Sequence, residues 1–147
     1  MSKASPTSRT LAHLRGLGYL CQVVEQWLPH QRIRRDLFGI GDVFALMPGE
    51  APLLVQCTSG SNVAARITKA LALTQLPTVL ASGVAVEVWG WRLAGARGRR
   101  KTWQLTRRQI VLADLTPEGV APMDSTEQAS IHQGEAPLYP PLRIEVI

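Results

Sequence analysis

Two spacings alternate along this chain. Over residues 7–18 (TSRTLAHLRGLG) the apolar positions recur at helical intervals. Leu11, Leu14 and Leu17 form the stripe, Thr7 or Ser8 can cap its start, and Gly16 or Gly18 its end. Tyr19 to Trp27 (YLCQVVEQW) is rich in β-branched and aromatic residues and predicts a strand stopped by Pro29. Asp42 to Met47 predicts a second strand, turned by Pro48-Gly49, and Leu53 to Thr58 a third. The third opens on an unbroken apolar run, which predicts a central position covered on both faces. Ser59-Gly60-Ser61-Asn62 offers a cap for a helix from Val63 to about Leu76, ended by Pro77. Val84 to Leu93 alternates as a strand. Lys101 to Leu105, or slightly beyond, is its hairpin partner across the Gly- and Arg-rich loop 94–100.

The order helix, three strands, helix, two strands predicts an α/β domain over residues 1–115, a mixed central sheet flanked by helices. No internal repeat is present. From about Thr116 the chain turns polar and holds Pro117, Pro122, Pro137, Pro140 and Pro141, half of its ten prolines. Residues 116–147 therefore read as an acidic extension, partly irregular or packed along the domain.

With 147 residues and 46% hydrophobic content, one domain can bury a real core. No apolar run approaches the roughly 20 residues of a membrane helix, and MSKASPTSRT lacks the apolar stretch of a secretory leader, so a cytoplasmic protein is expected. Cys21 and Cys57 suit a reducing compartment, and His13, His30 and His132 show no zinc-ligand spacing. Charge changes the picture more. Residues 1–108 hold 15 of the 16 basic residues and five of the 11 acidic ones, about +10, whereas 109–147 is about −5. A basic body points either to a polyanionic partner, most simply DNA, or to nothing more than a solubilising surface. The densest clusters are Arg32, Arg34 and Arg35, then Arg97, Arg99, Arg100 and Lys101. They fit phosphate contacts, or a solvated loop in the second case.

The candidate chemistry lies in RRDLFGIGDVFALMPGEAPLLVQCT, from Arg34 to Thr58. Asp42 follows a glycine at the mouth of an otherwise apolar strand, as a strand-entry turn residue or as a metal ligand. Gln56 offers an amide oxygen from the next strand. Such a hairpin can hold two or three oxygen ligands around a divalent cation, the hard-donor set that magnesium prefers. Cys57 points to the opposite face and reads as core. Glu25 either joins the metal shell or faces solvent. Asp36 either ligates metal or pairs with Arg34 or Arg35. Arg66 and Lys69 share a helix face at i, i+3, as a solvated face or as a source of charge beside Gln56. Trp89 and Trp91 share a strand face, with Trp103 across the hairpin. Packing explains this row best, with base stacking as the alternative.

An acid opening one strand and a polar triplet closing the next resembles the core of the PD-(D/E)XK nucleases. Gly41-Asp42 stands where that family has Pro-Asp, and Gln56-Cys57-Thr58 where it has Glu-x-Lys. RRDLFGIGDVFAL and LLVQCTSGSN are similar to phage and prophage proteins of the Holliday-junction-resolvase-like branch. The element order matches over about residues 10–110 and the motifs over 34–69. The resemblance implies a restriction-endonuclease-like fold and Mg2+- or Mn2+-dependent hydrolysis of DNA, branched DNA included, by a homodimer. Asp42, Gln56 and the Cys57 carbonyl would hold the metal, with Glu25 or Asp36 completing it. Thr58 stands where the family has its lysine. Some members move that lysine to the following helix, where Arg66 and Lys69 lie here. Two other readings remain: a non-catalytic nucleic-acid binder on the same fold, and a structural protein of a phage-like assembly docking through its acidic tail. GLG at 16–18 and GIG at 39–41 are too short for a dinucleotide fingerprint, and no Ser-His-Asp set supports another enzyme class.

Overall fold

Ser5, and not Thr7 or Ser8, caps the first helix, which starts at Pro6, one residue before the expected range. In the computed structural model, which describes residues 3–115, the Ser5 hydroxyl accepts from the Ser8 N–H at 3.1 Å. Pro6 fills the first turn, where its missing N–H leaves no bond unmade. This helix, α1 (Pro6–Gly16), buries Thr10 and Leu14. Seven strands follow: β1 (Leu20–Val23), β2 (Gln26–Leu28), β3 (Ile33–Arg35), β4 (Val43–Leu46), β5 (Leu53–Ser59), β6 (Ala85–Ala94) and β7 (Thr102–Ile110). Between β5 and β6 lie a 3-10 turn (Gly60–Asn62) and two helices, α2 (Val63–Leu71) and α3 (Leu76–Ala81). A second 3-10 turn spans Leu112–Leu115. The extension expected over 116–147 lies outside the described residues.

The protein is mixed α/β, with a five-stranded sheet in the order β1-β4-β5-β6-β7. Among the described residues only β5 and β6 run parallel, and the helical segment between them makes the crossover that parallel pairing requires. Residues 53–58 are buried without a break, so β5 is the central strand, covered on both faces. Cys21, Val43, Ala45, Val55, Cys57 and Trp89 pack with Leu14 of α1 on one face. Leu54, Val86, Val88 and Ile110 pack with Val63, Ala70, Leu76 and Val79 on the other. No helix among the described residues is long and apolar enough to cross a membrane.

Three sequence expectations change. The strand expected over 19–27 is two strands in two sheets. The Val24 N–H still reaches the Asp42 carbonyl at 2.8 Å. Beyond it β4 offers no further edge, so the chain leaves the sheet. It then pairs with itself as the β2–β3 ribbon, Trp27 opposite Arg34. The single helix expected over 63–76 is also two. Pro77 lies in the first turn of α3, so it starts a helix and does not end one. The last strand continues to Ile110, paired with β6 through nine residue pairs from Ala94↔Thr102 to Val86↔Ile110.

The tryptophans are mostly packing. Trp89 is fully buried and donates to Glu87 Oε2 at 2.6 Å, and Trp91 donates to Thr10 Oγ1 at 3.0 Å. Trp103 lies opposite Leu93, not opposite either tryptophan, and carries the Arg9 guanidinium 3.6 Å above its ring.

Gly90 marks the tightest approach of crossover to sheet. A Cβ there would overlap Val63 Cγ2 and lie 3.0 Å from Gly60 Cα. Gly90→Ala is expected to lower stability in urea by about 1–3 kcal/mol through overpacking. Gly16→Ala, with nothing within 4 Å of the new methyl, is expected to be neutral or stabilising by up to about 1 kcal/mol. Equal effects of the two would refute this packing account.

Candidate metal centre

Asp42 enters the site through its backbone. Its N–H donates to the Val55 carbonyl at 2.9 Å and its carbonyl accepts from Val24, so it continues the sheet ladder one residue before β4. The preceding residue must be small. A Cβ on Gly41 would lie 2.6 Å from Leu54 Cδ1 and 3.1 Å from the Val55 carbonyl oxygen. The pinned backbone aims the Asp42 side chain into the protein, where it is 6% exposed. Its Oδ2 accepts two hydrogen bonds, from Gln56 Nε2 and from the Cys57 N–H, both at 2.9 Å. Both fall on one oxygen, which leaves Oδ1 for another partner.

Two more carboxylates converge there. Asp36 begins a tight turn in which Gly39 N–H returns to the Asp36 carbonyl at 3.0 Å and Leu37 bridges Gly41. Ile40, 1% exposed, anchors that turn in the core. Glu25 lies where the chain leaves β1 for the ribbon, and Arg34 Nη1 approaches it at 3.4 Å. One carboxylate oxygen from each of Glu25, Asp36 and Asp42 lies within 4.8 Å of the others. Burial and this crowding push the Asp42 carboxyl up to about 7. Burial contributes most, followed by the hydrogen bond shared with Asp36. The negative charges of Asp36 and Glu25 add to the rise, and the Cys57 N–H opposes it. Three carboxylates form the all-oxygen donor set of a hard divalent cation, and a cation would relieve the repulsion that the protonated Asp42 otherwise relieves. The residues present therefore fit a metal ion, and their chemistry does not by itself choose the metal.

The structure places the remaining candidates as follows. Gln56 lies beside Asp42 as a hydrogen-bond donor to it. Cys57 contributes its backbone N–H, while its thiol is held in the α1-side core, pushed up to about 12 chiefly by burial. Thr58 is buried, two residues further along the same strand face as Gln56. Arg66 is half-buried and Lys69 exposed on α2, and neither makes a hydrogen bond or ion pair with a described residue. Arg32, Arg34 and Arg35 are exposed on the ribbon and its turn, and of the two neighbouring acids Arg34 pairs with Glu25. Arg35 and Asp36 line a cleft of about 520 Å³ together with Phe38, Gly39 and Gln75. Arg97, Arg99 and Arg100 are exposed in the β6–β7 loop, with Lys101 at its end. Sequence reasoning passed over Phe38 and Gln75. The signal for Phe38 was an aromatic residue placed inside a turn, DLFG.

Comparison with protein-family models, with curated proteins and with solved structures returned no match.

The raised Asp42 carboxyl has a definite thermodynamic sign. Its folded value, about 7, lies above its ordinary 3.8, so the folded state binds this proton more tightly than the unfolded chain. In chelator, this group's contribution is full below about pH 4 and is lost as pH rises through 7. Asp42→Asn removes the titration while keeping the shape. At pH 8 in chelator the variant is expected to be more stable than wild type by about 1–3 kcal/mol. Millimolar Mg2+ or Mn2+ is expected to raise the melting temperature of wild type and leave that of the variant unchanged. A cation response that survives in Asp42→Asn would remove Asp42 from the metal centre.

Proposed function

We propose that this protein is a metal-dependent endonuclease with a restriction-endonuclease-like core of the PD-(D/E)XK type, hydrolysing DNA phosphodiester bonds in the cytoplasm. One observation carries the reading: Glu25, Asp36 and buried Asp42 bring carboxylate oxygens within 4.8 Å of one another at the opening of the β4–β5 hairpin. A mixed five-stranded sheet with a helical crossover from β5 to a parallel β6 supports the reading at the level of α/β class.

With Mg2+ or Mn2+ bound, the chemistry available is polarisation of a phosphodiester and activation of water for its hydrolysis. The protein's own part is positional. Gln56 and the Cys57 N–H fix Asp42 in one orientation, and Arg34 restrains Glu25. Arg35, in the cleft beside Asp36, would hold a substrate phosphate, and the exposed guanidinium groups of Arg32 and the 97–101 loop would meet phosphates elsewhere on the DNA. Thr58 offers a hydroxyl where a lysine is usual, so positive charge at the reacting phosphate falls to Arg66 or Lys69 on α2. A two-fold branched substrate would suit a homodimer.

A second reading is favoured by the same strand. With no lysine at 58 and the Gln56 amide committed to Asp42, the site would retain cation and DNA binding without hydrolysis.

The test is cleavage of labelled linear, flapped and four-way DNA in Mg2+ or Mn2+. Cleavage is expected to vanish in chelator and in Asp42→Ala. Gln56→Ala removes a support for the ligand and not the ligand itself, so the rate is expected to fall about 10- to 100-fold. DNA binding that weakens steeply with salt, with no cleavage of any substrate, would sink the nuclease and leave the binder.

A further inference from the structure

Beside the carboxylate cluster the protein keeps an apolar cavity of about 540 Å³, whose lining includes Phe38, Phe44, Leu54 and Val79. The charged cleft that holds Arg35 and Asp36 adjoins it, for Phe38 and Gln75 line both. Phe38 is the wall between them and is built against local preference. Its φ is +57°, in the left-handed region that a bulky residue rarely takes, and its side chain is 55% exposed. The turn enforces this conformation through Gly39 N–H to Asp36 and Ile40 N–H to Leu37, both at 3.0 Å, and through buried Ile40. An aromatic ring held in solvent by backbone strain at the mouth of a cavity is the kind of expense that persists at ligand clamps.

The cavity also carries polar groups at its rim. Gln75 accepts from Thr74 through Oε1, which leaves its Nε2 without a described partner. The Thr78 hydroxyl, one turn of α3 before Ser82, likewise makes no hydrogen bond with a described residue. The site thus combines an aromatic face, an apolar slot, two free hydrogen-bonding groups and, through the shared wall, a guanidinium beside metal-binding carboxylates. A flat heteroaromatic ring joined to a phosphate matches each part in turn.

We propose that this cavity receives one unstacked nucleobase, stacked on Phe38 and read at its edge by Gln75 and Thr78, with the attached phosphate in the cleft beside Arg35. The proposal rests on the nuclease reading of the carboxylate site and narrows its substrate class. The bound strand is single-stranded, as in a flap or at a branch, because a base within continuous duplex cannot leave its stack without a cost of a few kcal/mol.

The test reads binding and not cleavage. A single-stranded dodecamer carrying 2-aminopurine near its centre is titrated with protein in chelator, beside the same strand in duplex. Wild type is expected to bind the single strand at least tenfold more tightly, with a change in 2-aminopurine fluorescence. Phe38→Ala removes an exposed ring, and Thr78→Met fills the slot from its rim. Each is expected to weaken single-strand binding about 5- to 100-fold, the range of one lost base stack, and to leave duplex binding unchanged. Equal affinity for the two forms, or single-strand binding unaltered in both variants, overturns the base site. If duplex DNA is bound equally well and is cleaved once Mg2+ or Mn2+ replaces the chelator, the nuclease reading stands without it. If neither form is bound, in chelator or in Ca2+, both fall together.

Discussion

A carboxylate removed from water must be compensated, and Asp42 is compensated only in part. Two donors on β5 satisfy one of its oxygens, Gln56 Nε2 and the Cys57 N–H. They compete with burial and with two neighbouring acids, so the group keeps its proton near neutral pH. Much of the local architecture follows from holding that group in place. Gly41 has no side chain because Leu54 fills the space, and the ladder continues one residue past β1 because the Asp42 carbonyl is there to receive the Val24 N–H. The turn 36–41 folds back through Ile40 and brings a second acid alongside. The glutamine at 56 also acquires a physical sense in this setting. A glutamate there would add a fourth carboxylate to three that already repel one another, whereas the amide N–H donates a hydrogen bond to Asp42.

Strong periodicity made the fold's centre legible. The unbroken apolar run of β5, the alternation of β6 and the amphipathic pattern of α1 each declare their burial in sequence. The ribbon was not legible, because Gln26-Trp27-Leu28 has the composition of a sheet strand and only the lack of a sheet partner diverts it. Pro77 was misjudged for a related reason: the residue that forbids continuation of one helix suits the first turn of the next. The candidate acids were all visible as residues, and Asp42 stood out by its place before an apolar strand. Their convergence was not visible, since it depends on where the ribbon departs and how the turn returns. The Arg34–Glu25 pair is likewise a product of ribbon register, which places Arg34 opposite Trp27 and back toward the start of the excursion. Phe38 carried one sequence signal, an aromatic residue inside a turn, and its left-handed backbone shows only in the structure.

Positive charge is distributed by the same excursions. Arg32, Arg34 and Arg35 lie on the ribbon, and Arg97, Arg99, Arg100 and Lys101 in the β6–β7 loop, so these cations project away from the buried core, whereas Arg107 on β7 lies over the Trp89 ring and pairs with Glu87. Exposed in this way, the ribbon and loop cations avoid desolvation and can meet a partner's charge in water.

The ribbon has one further property. Glu25 stands immediately before it and Asp36 immediately after, and the two carboxylates meet at its base. The intervening residues 26–35 are thus a closed loop whose clasp is electrostatic. Left unneutralised, the clasp repels and favours a frayed base. Neutralised, it fixes both stems at once and removes the chain entropy that a short surface excursion otherwise retains. Occupancy of the carboxylate site and rigidity of the arginine-bearing ribbon are therefore one equilibrium seen from two ends.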